Sequence, residues 1–316
     1  MHDVATHLGR SNARGVAWGV ASALSFSLSA VIGKNLLDEL GVTSLLFWRF
    51  GIAAVVLWSV LALWGRHRGV DVSGRERAGL FGLGLLTGVV VIVGFLALER
   101  LDVSVYIVIV YLYPAFVVIG SRLLGRPFDR WTSIALVLIM CGIVLTVPEV
   151  VTGMSGDSVF SVAGLLLASC QAVLFAVYVL LSERAVPPQL DGATVAAWIN
   201  LGAGAFFVPF VLVGGLTVPR GAPLISEVAL FALVPTVIAN VCFFRALRHL
   251  SPSLMAMVMT LEVAFAIAWS ATLLGEDVSA VQVLGAGVMM TGVVLAQRAA
   301  VAVEERLVVA ESVPGH

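Results

Sequence analysis

The sequence predicts an all-α integral membrane protein, with ten transmembrane helices arranged as two inverted five-helix repeats. Three observations predict it. Of 316 residues, 60% are hydrophobic and only 12% are charged, with a mean hydropathy of +1.07, whereas a soluble domain carries about 25% charged residues. The apolar residues fall into ten runs, each long enough to cross a bilayer as a helix. The last five runs repeat the first five at an offset of 149 residues, with the loop charge reversed.

In order, the runs are Val16–Ile32, Leu45–Trp64, Ala78–Leu98, Val103–Gly120, Trp131–Val147, Phe160–Leu181, Ala193–Leu212, Val228–Leu247, Leu254–Leu274 and Val278–Ala296. Short connections with turn residues join them, among them 38–41, 125–129 and Pro187-Pro188, and no hydrophilic stretch is long enough for a soluble domain. The polar stretch 1–15 lacks the apolar core of a signal peptide. Cys141, Cys170 and Cys242 sit inside apolar runs and have no His at ligand spacing, so neither a disulfide framework nor a metal site is expected.

Loop charge sets the expected orientation. With the N-terminus inside, fourteen arginines face the cytoplasm, and only Lys34, Arg100 and Arg220 lie outside. Both termini are then cytoplasmic, in a multi-pass protein of the cell (plasma or inner) membrane. At the offset of 149, 97–104 lies over 246–253, Ala115-Phe116 over Ala264-Phe265, and Thr87 over Thr236. With one added residue, Leu123-Leu124-Gly125 matches Leu273-Leu274-Gly275, and Gly142–Leu145 matches Gly292–Leu295. Five is odd, so the second copy enters the membrane upside down. The charges agree, with Arg126 after the first Leu-Leu-Gly and Glu276-Asp277 after the second. The expected units are 15–147 and 160–297, followed by a cytoplasmic tail at 298–316. Inverted repeats of this kind are a transporter architecture, with the binding site near mid-membrane between the halves.

The ninth run holds one carboxylate near its middle, Glu262. A charge at that depth costs roughly 2.5–3.5 kcal/mol on insertion scales, so its default reading is functional, with a partner or a wet cavity nearby; a protonated Glu hydrogen-bonded inside a helix bundle is the alternative. Other polar residues share helix faces. Trp18, Ser22, Ser25 and Ser29 lie on one face of the first helix, and Gln171 and Tyr178 on the corresponding face of the sixth. Tyr106 and Tyr113 lie seven apart on the fourth helix, where Tyr113 is the repeat mate of Glu262; Thr236 and Asn240 lie four apart on the eighth. These faces read as walls of one central cavity. For the serines and threonines, bonding to carbonyls of their own helix is an equal alternative. Arg49, near the outer end of the second helix, reads as a side chain snorkelling to the headgroups as readily as one touching substrate. Pro114 and Pro235 sit mid-span and are hinge candidates. They are not repeat mates, so a paired break of two symmetry-related helices is not expected.

The organisation resembles the EamA-type members of the drug/metabolite transporter superfamily. The resemblance covers almost the whole chain and rests on Phe47-Trp48-Arg49-Phe50, on Tyr113-Pro114, and on Leu261-Glu262 followed by Leu273–Glu276. Two positions depart from the pattern: Val263 stands where the family often has Pro, and Arg126 where it commonly has Glu. The resemblance implies outward transport of a small metabolite. No phosphate-binding loop and no His- or Asp-rich cluster is present, so nucleotide hydrolysis and a cofactor are not expected and any work comes from a gradient. An intramembrane enzyme would need paired acids or a Ser/His set, which one Glu does not supply, and a non-transporting membrane protein would not need mid-membrane Gln, Asn and Glu on facing helices; these stay the alternatives, with an uptake carrier or facilitator among transporters. The expected partners are the bilayer, a small amphipathic solute such as an amino acid, and protons as coupling ion through Glu262. No nucleic-acid partner is expected, and nothing in the sequence sets an oligomeric state.

Overall fold

The computed structural model of the protein describes residues 2–63, 72–101, 103–126, 129–147, 161–274 and 278–312. Arg66, Arg68, Glu276 and Asp277 of the charge argument, Gly275 of the repeat, and tail residues 313–316 lie outside the described residues. The described chain is helical: α1 His2–Leu40, α2 Val42–Leu63, α3 Gly74–Leu98, α4 Val103–Val110, α5 Tyr113–Leu123, α6 Arg130–Thr146, α7 Val162–Ala185, α8 Gly192–Gly214, α9 Ala222–Ala232, α10 Ala239–Leu247, α11 Pro252–Met259, α12 Leu261–Trp269 and α13 Ala280–Ser312. Among the described residues, eight helical stretches are long and apolar enough to cross a membrane; the 17-residue apolar α6 is shorter. The first helix runs far beyond the apolar stretch that reveals it, because its polar flanks continue the same helical turns.

Local chemistry fixes where helices begin. Ser73 and Glu76 form a reciprocal capping box at α3. Asp129, Ser161 and Ser251 accept backbone N–H groups at the starts of α6, α7 and α11, the last with Pro252 in the first turn. Gly41, at φ 69°, supplies the left-handed turn between α1 and α2.

Two spans are broken, and the breaks are repeat mates. The fourth span is interrupted at Tyr111-Leu112 between α4 and α5, the ninth at Thr260 between α11 and α12. The separation from Tyr111 to Thr260 is the repeat offset of 149. This overturns the expectation that a paired break is absent. Proline announces only the first break, since Pro114 follows it directly. At the second, the Thr260 hydroxyl bonds Met257 O at 2.6 Å and the Thr260 amide bonds the same carbonyl at 3.2 Å, tightening the turn without any proline. The eighth span carries a third irregularity, a π-helical turn at Leu233–Ile238 between α9 and α10.

Packing follows the same pseudo-two-fold. The pair α6–α13 joins the ends of the two repeats through glycine. A Cβ on Gly142 would meet the Met289 backbone N at 2.7 Å and Gly285 O at 2.8 Å, and one on its mate Gly292 would meet Ile139 Cγ1 at 2.7 Å and Ala135 O at 2.9 Å. Met289 and Gly285 are 150 residues beyond Ile139 and Ala135, so the two glycine contacts are images of each other. The other large interfaces pair likewise: α3 packs on α7 as α10 packs on α1, and α5 on α7 as α12 on α1. The core between them is closed by buried Met255, Met257, Phe244 and Ile139.

Candidate functional site: a cavity between the halves

A cavity of about 630 Å³ lies where the broken spans meet the rest of the bundle. Its lining reaches Val147 at the end of α6 and Val278 and Gln282 at the start of α13. A stack of rings lines another part of it. Tyr113 stands edge-on to Phe175 at 4.7 Å, Phe175 stacks on Tyr178 at 5.9 Å, and Tyr178 on Phe243 at 6.3 Å. The Tyr113 hydroxyl donates to Ala256 O at 3.0 Å. That carbonyl is left open because the Thr260 amide turns to Met257 instead. One broken span thus satisfies the other across the pseudo-two-fold.

Glu262, Tyr106, Tyr113, Gln171, Tyr178 and Asn240 all line this cavity. Glu262 sits in the first turn of α12, directly after the break, with Tyr111 close enough to interact with its carboxyl. Tyr113, its repeat mate, is instead committed to Ala256. Tyr106 lies beside Gln171, whose Oε1 is buried without a partner, and the Gln171 amide fills the space a side chain at Gly94 would need. Pro114 is buried in the first turn of α5, and Pro235 lies inside the π-helical turn.

The remaining expected residues lie elsewhere. Trp18 stands away from the lining with the Arg245 guanidinium over its ring at 4.8 Å. Ser25 bonds Ala21 O, one turn back, at 2.8 Å. Ser22 bonds Ala239 O at 2.9 Å, and Gly19 packs on Val258. This face of α1 is spent on close packing against α10 and α11. Phe26 and Ser27, on a neighbouring face, reach the cavity instead. Thr236 is wholly buried behind the lining.

Thr236 is behind the lining because Arg49 stands in front of it. Arg49 does not snorkel outward; it turns into the bundle and lines the cavity. Its Nε donates to Thr236 Oγ1 at 2.8 Å and its Nη2 to Pro235 O at 3.0 Å, with the guanidinium 4.8 Å above the Phe231 ring. Proline explains the arrangement. Pro235 has no N–H to offer Phe231 O one turn back, so the Thr236 hydroxyl donates there at 3.3 Å and leaves its lone pair for Arg49. An arginine inside a span needs a partner, and a proline at similar depth leaves backbone carbonyls in need of donors. Together those two facts are the signal that could have placed Arg49. Tyr111 carried no comparable signal. Among the described residues no group of His, Cys, Asp and Glu is placed to hold a metal.

Comparison with known proteins identifies the lineage. The EamA-like transporter family matches residues 13–147 and again residues 162–297. The chain belongs to the EamA-like transporter family. It is thus a multi-pass membrane protein of a drug/metabolite transporter family, built from two copies of the EamA unit. No curated protein matches the sequence. A solved crystal structure, described only as that of a protein, shares the fold with a TM-score of 0.71. It is 19% identical, over 89% of this chain and 96% of the other.

Proposed function

We propose that the protein is a secondary active exporter of a small zwitterionic, amphipathic metabolite of the amino-acid class. It works by alternating access between two inverted five-helix repeats, 15–147 and 160–297, with ten spans and a cytoplasmic tail at 298–316. The observation that carries the substrate class is the presence of one cation and one carboxylate, Arg49 and Glu262, on an otherwise apolar and aromatic cavity. A substrate carboxylate takes the N–H groups of Arg49 that Thr236 and Pro235 leave over. The substrate amine takes Glu262, and the apolar part lies against Tyr106, Tyr111 and Phe175. The volume of about 630 Å³ suits a solute of this size. A polyanion would meet a single arginine and a carboxylate beside it, which disfavours it.

With both termini cytoplasmic in the cell membrane, the lining residues Val147, Val278 and Gln282 stand at the outer side. The state described is then outward-facing, with the ring stack as the closed inner gate. Export is the direction the family resemblance favours, and Glu262, exchanging a proton for substrate, is the coupling group. Counterflow of labelled L-leucine, L-phenylalanine and L-threonine into liposomes holding the purified protein tests the reading. At least one should accumulate, and Arg49→Gln should lower that rate about tenfold or more, as expected on losing a charge-assisted hydrogen bond. Absence of counterflow for all three, or normal counterflow in Arg49→Gln, rejects it.

A further inference from the structure

An ion pair joins the two repeats away from the cavity. Arg126, just beyond α5 in the first repeat, donates from Nη2 to Oε2 of Glu183, in the last turn of α7 in the second. Both side chains are partly exposed. Helix α6 fixes their place: Arg126 precedes its start at Arg130, whereas the cavity lining reaches Val147 at its other end. The lining takes nothing from α5 beyond Tyr113 or from α7 beyond Tyr178. Around the pair the repeats are close. A Cβ on Gly120 of α5 would meet Leu180 Cδ1 of α7 at 2.5 Å, and Ser253 Oγ of α11 donates to Ser121 Oγ of α5 at 3.0 Å. In the sequence, the repeat mates carry the same two charges exchanged: Lys34 for Glu183 and, with the one added residue, Glu276 for Arg126. Opposite charge at these two positions is thus a property of both repeats.

We propose that Arg126 and Glu183 form a latch between the repeats, which holds this end of the bundle shut and parts when the cavity opens toward it. The latch rests on the alternating access proposed above. When the two halves exchange conformations, α5 and α7 separate at this end, and each charge returns to water alone. A partly exposed pair contributes little, so it biases the equilibrium between the two states about threefold and does not lock it. A weak latch suits a carrier, which passes through both states in every cycle.

The test needs no substrate. Ala266 lines the cavity. In a background with Cys141, Cys170 and Cys242 replaced, Ala266→Cys is open to a membrane-impermeant maleimide only from the side the cavity faces. Its labelling rate is measured from both sides, in sealed cells and in inside-out vesicles, and the slower side reports the population of the opposite state. On that side Arg126→Gln and Glu183→Gln should each raise the rate about threefold. The reversed pair, Arg126→Glu with Glu183→Arg, should return it to the starting value. None of the three should raise the rate on the faster side. Unchanged slow-side rates in the single variants, or a reversed pair no better than they are, overturn the latch and leave alternating access standing. A rise on both sides is a general loosening of the bundle and overturns it as well. Absence of slow-side labelling in every variant defeats alternating access itself, and the latch with it.

Discussion

At the scale of single residues, substitutions separate the roles proposed for Glu262 and Arg49. Glu262→Gln keeps the shape and hydrogen-bonding capacity of a protonated carboxyl but cannot give up a proton. Accumulation driven by a proton gradient across liposomes should therefore disappear, while substrate exchange at equal pH continues at lower affinity, because the amide no longer offers the substrate amine a charge. Gradient-driven uptake at the wild-type rate in Glu262→Gln removes the coupling role; complete loss of exchange as well would leave Glu262 with substrate binding alone. Glu262 was legible in the sequence because a carboxylate at mid-span is expensive and stands out. Arg49 was visible but left between two readings, since its distance from the helix end allows snorkelling, and only the tertiary meeting with Pro235 and Thr236 pulls it inward. Ser25 failed for a different reason: small polar residues serve close packing as readily as a cavity. Trp18 failed because periodicity alone does not tell which face of α1 turns to the cavity, and its ring is exposed beneath Arg245.

At the scale of elements, the two broken spans and the glycine-packed pair each make a prediction. Tyr113→Phe removes the donor to Ala256 O and leaves a buried carbonyl of a broken helix unpaired, which costs about 1–3 kcal/mol. The purified protein should melt at lower temperature, and turnover should fall more than substrate affinity, because the lost bond joins helices and touches no substrate. Unchanged melting and turnover would show that the break needs no such cap. In α6, Gly142→Val drives a side chain into the backbone of α13, so folded yield in the membrane should drop, consistent with roughly 1–3 kcal/mol for overpacking. Gly287→Ala on α13 is the control, with nothing within 4 Å of its added methyl, and should behave as wild type. Equal yields from both variants would deny the close approach. The eight long apolar helices among the described residues were legible because about twenty apolar residues leave little choice. The break at Thr260 was not, because a threonine bonding back to its own helix leaves no mark that distinguishes it from any other threonine in a span.

At the scale of the whole molecule, the inverted repeat makes a claim about sidedness that packing alone does not. The image-related contacts of Gly142 and Gly292 relate the two halves by a pseudo-two-fold, but they are equally consistent with either end facing the cytoplasm. The choice rests on the arginines, fourteen on one side against three basic residues on the other, and on the positive-inside rule. Four exposed positions test it in a background with Cys141, Cys170 and Cys242 replaced. Val218 and Ser279 lie in connections on the side the charges assign to the exterior, and Arg75 and Pro188 on the opposite side. Single cysteines at Val218 and Ser279 should react with a membrane-impermeant maleimide in sealed cells, and cysteines at Arg75 and Pro188 only after the membrane is opened. Ser279 belongs to the second repeat and Arg75 to the first, so their opposite labelling also tests the inversion. The reverse pattern at all four positions would turn the protein over and make the cavity open to the cytoplasm. Labelling of Arg75 and Ser279 from the same side would break the inverted pairing itself, and with it the exchange of conformations between halves on which alternating access depends.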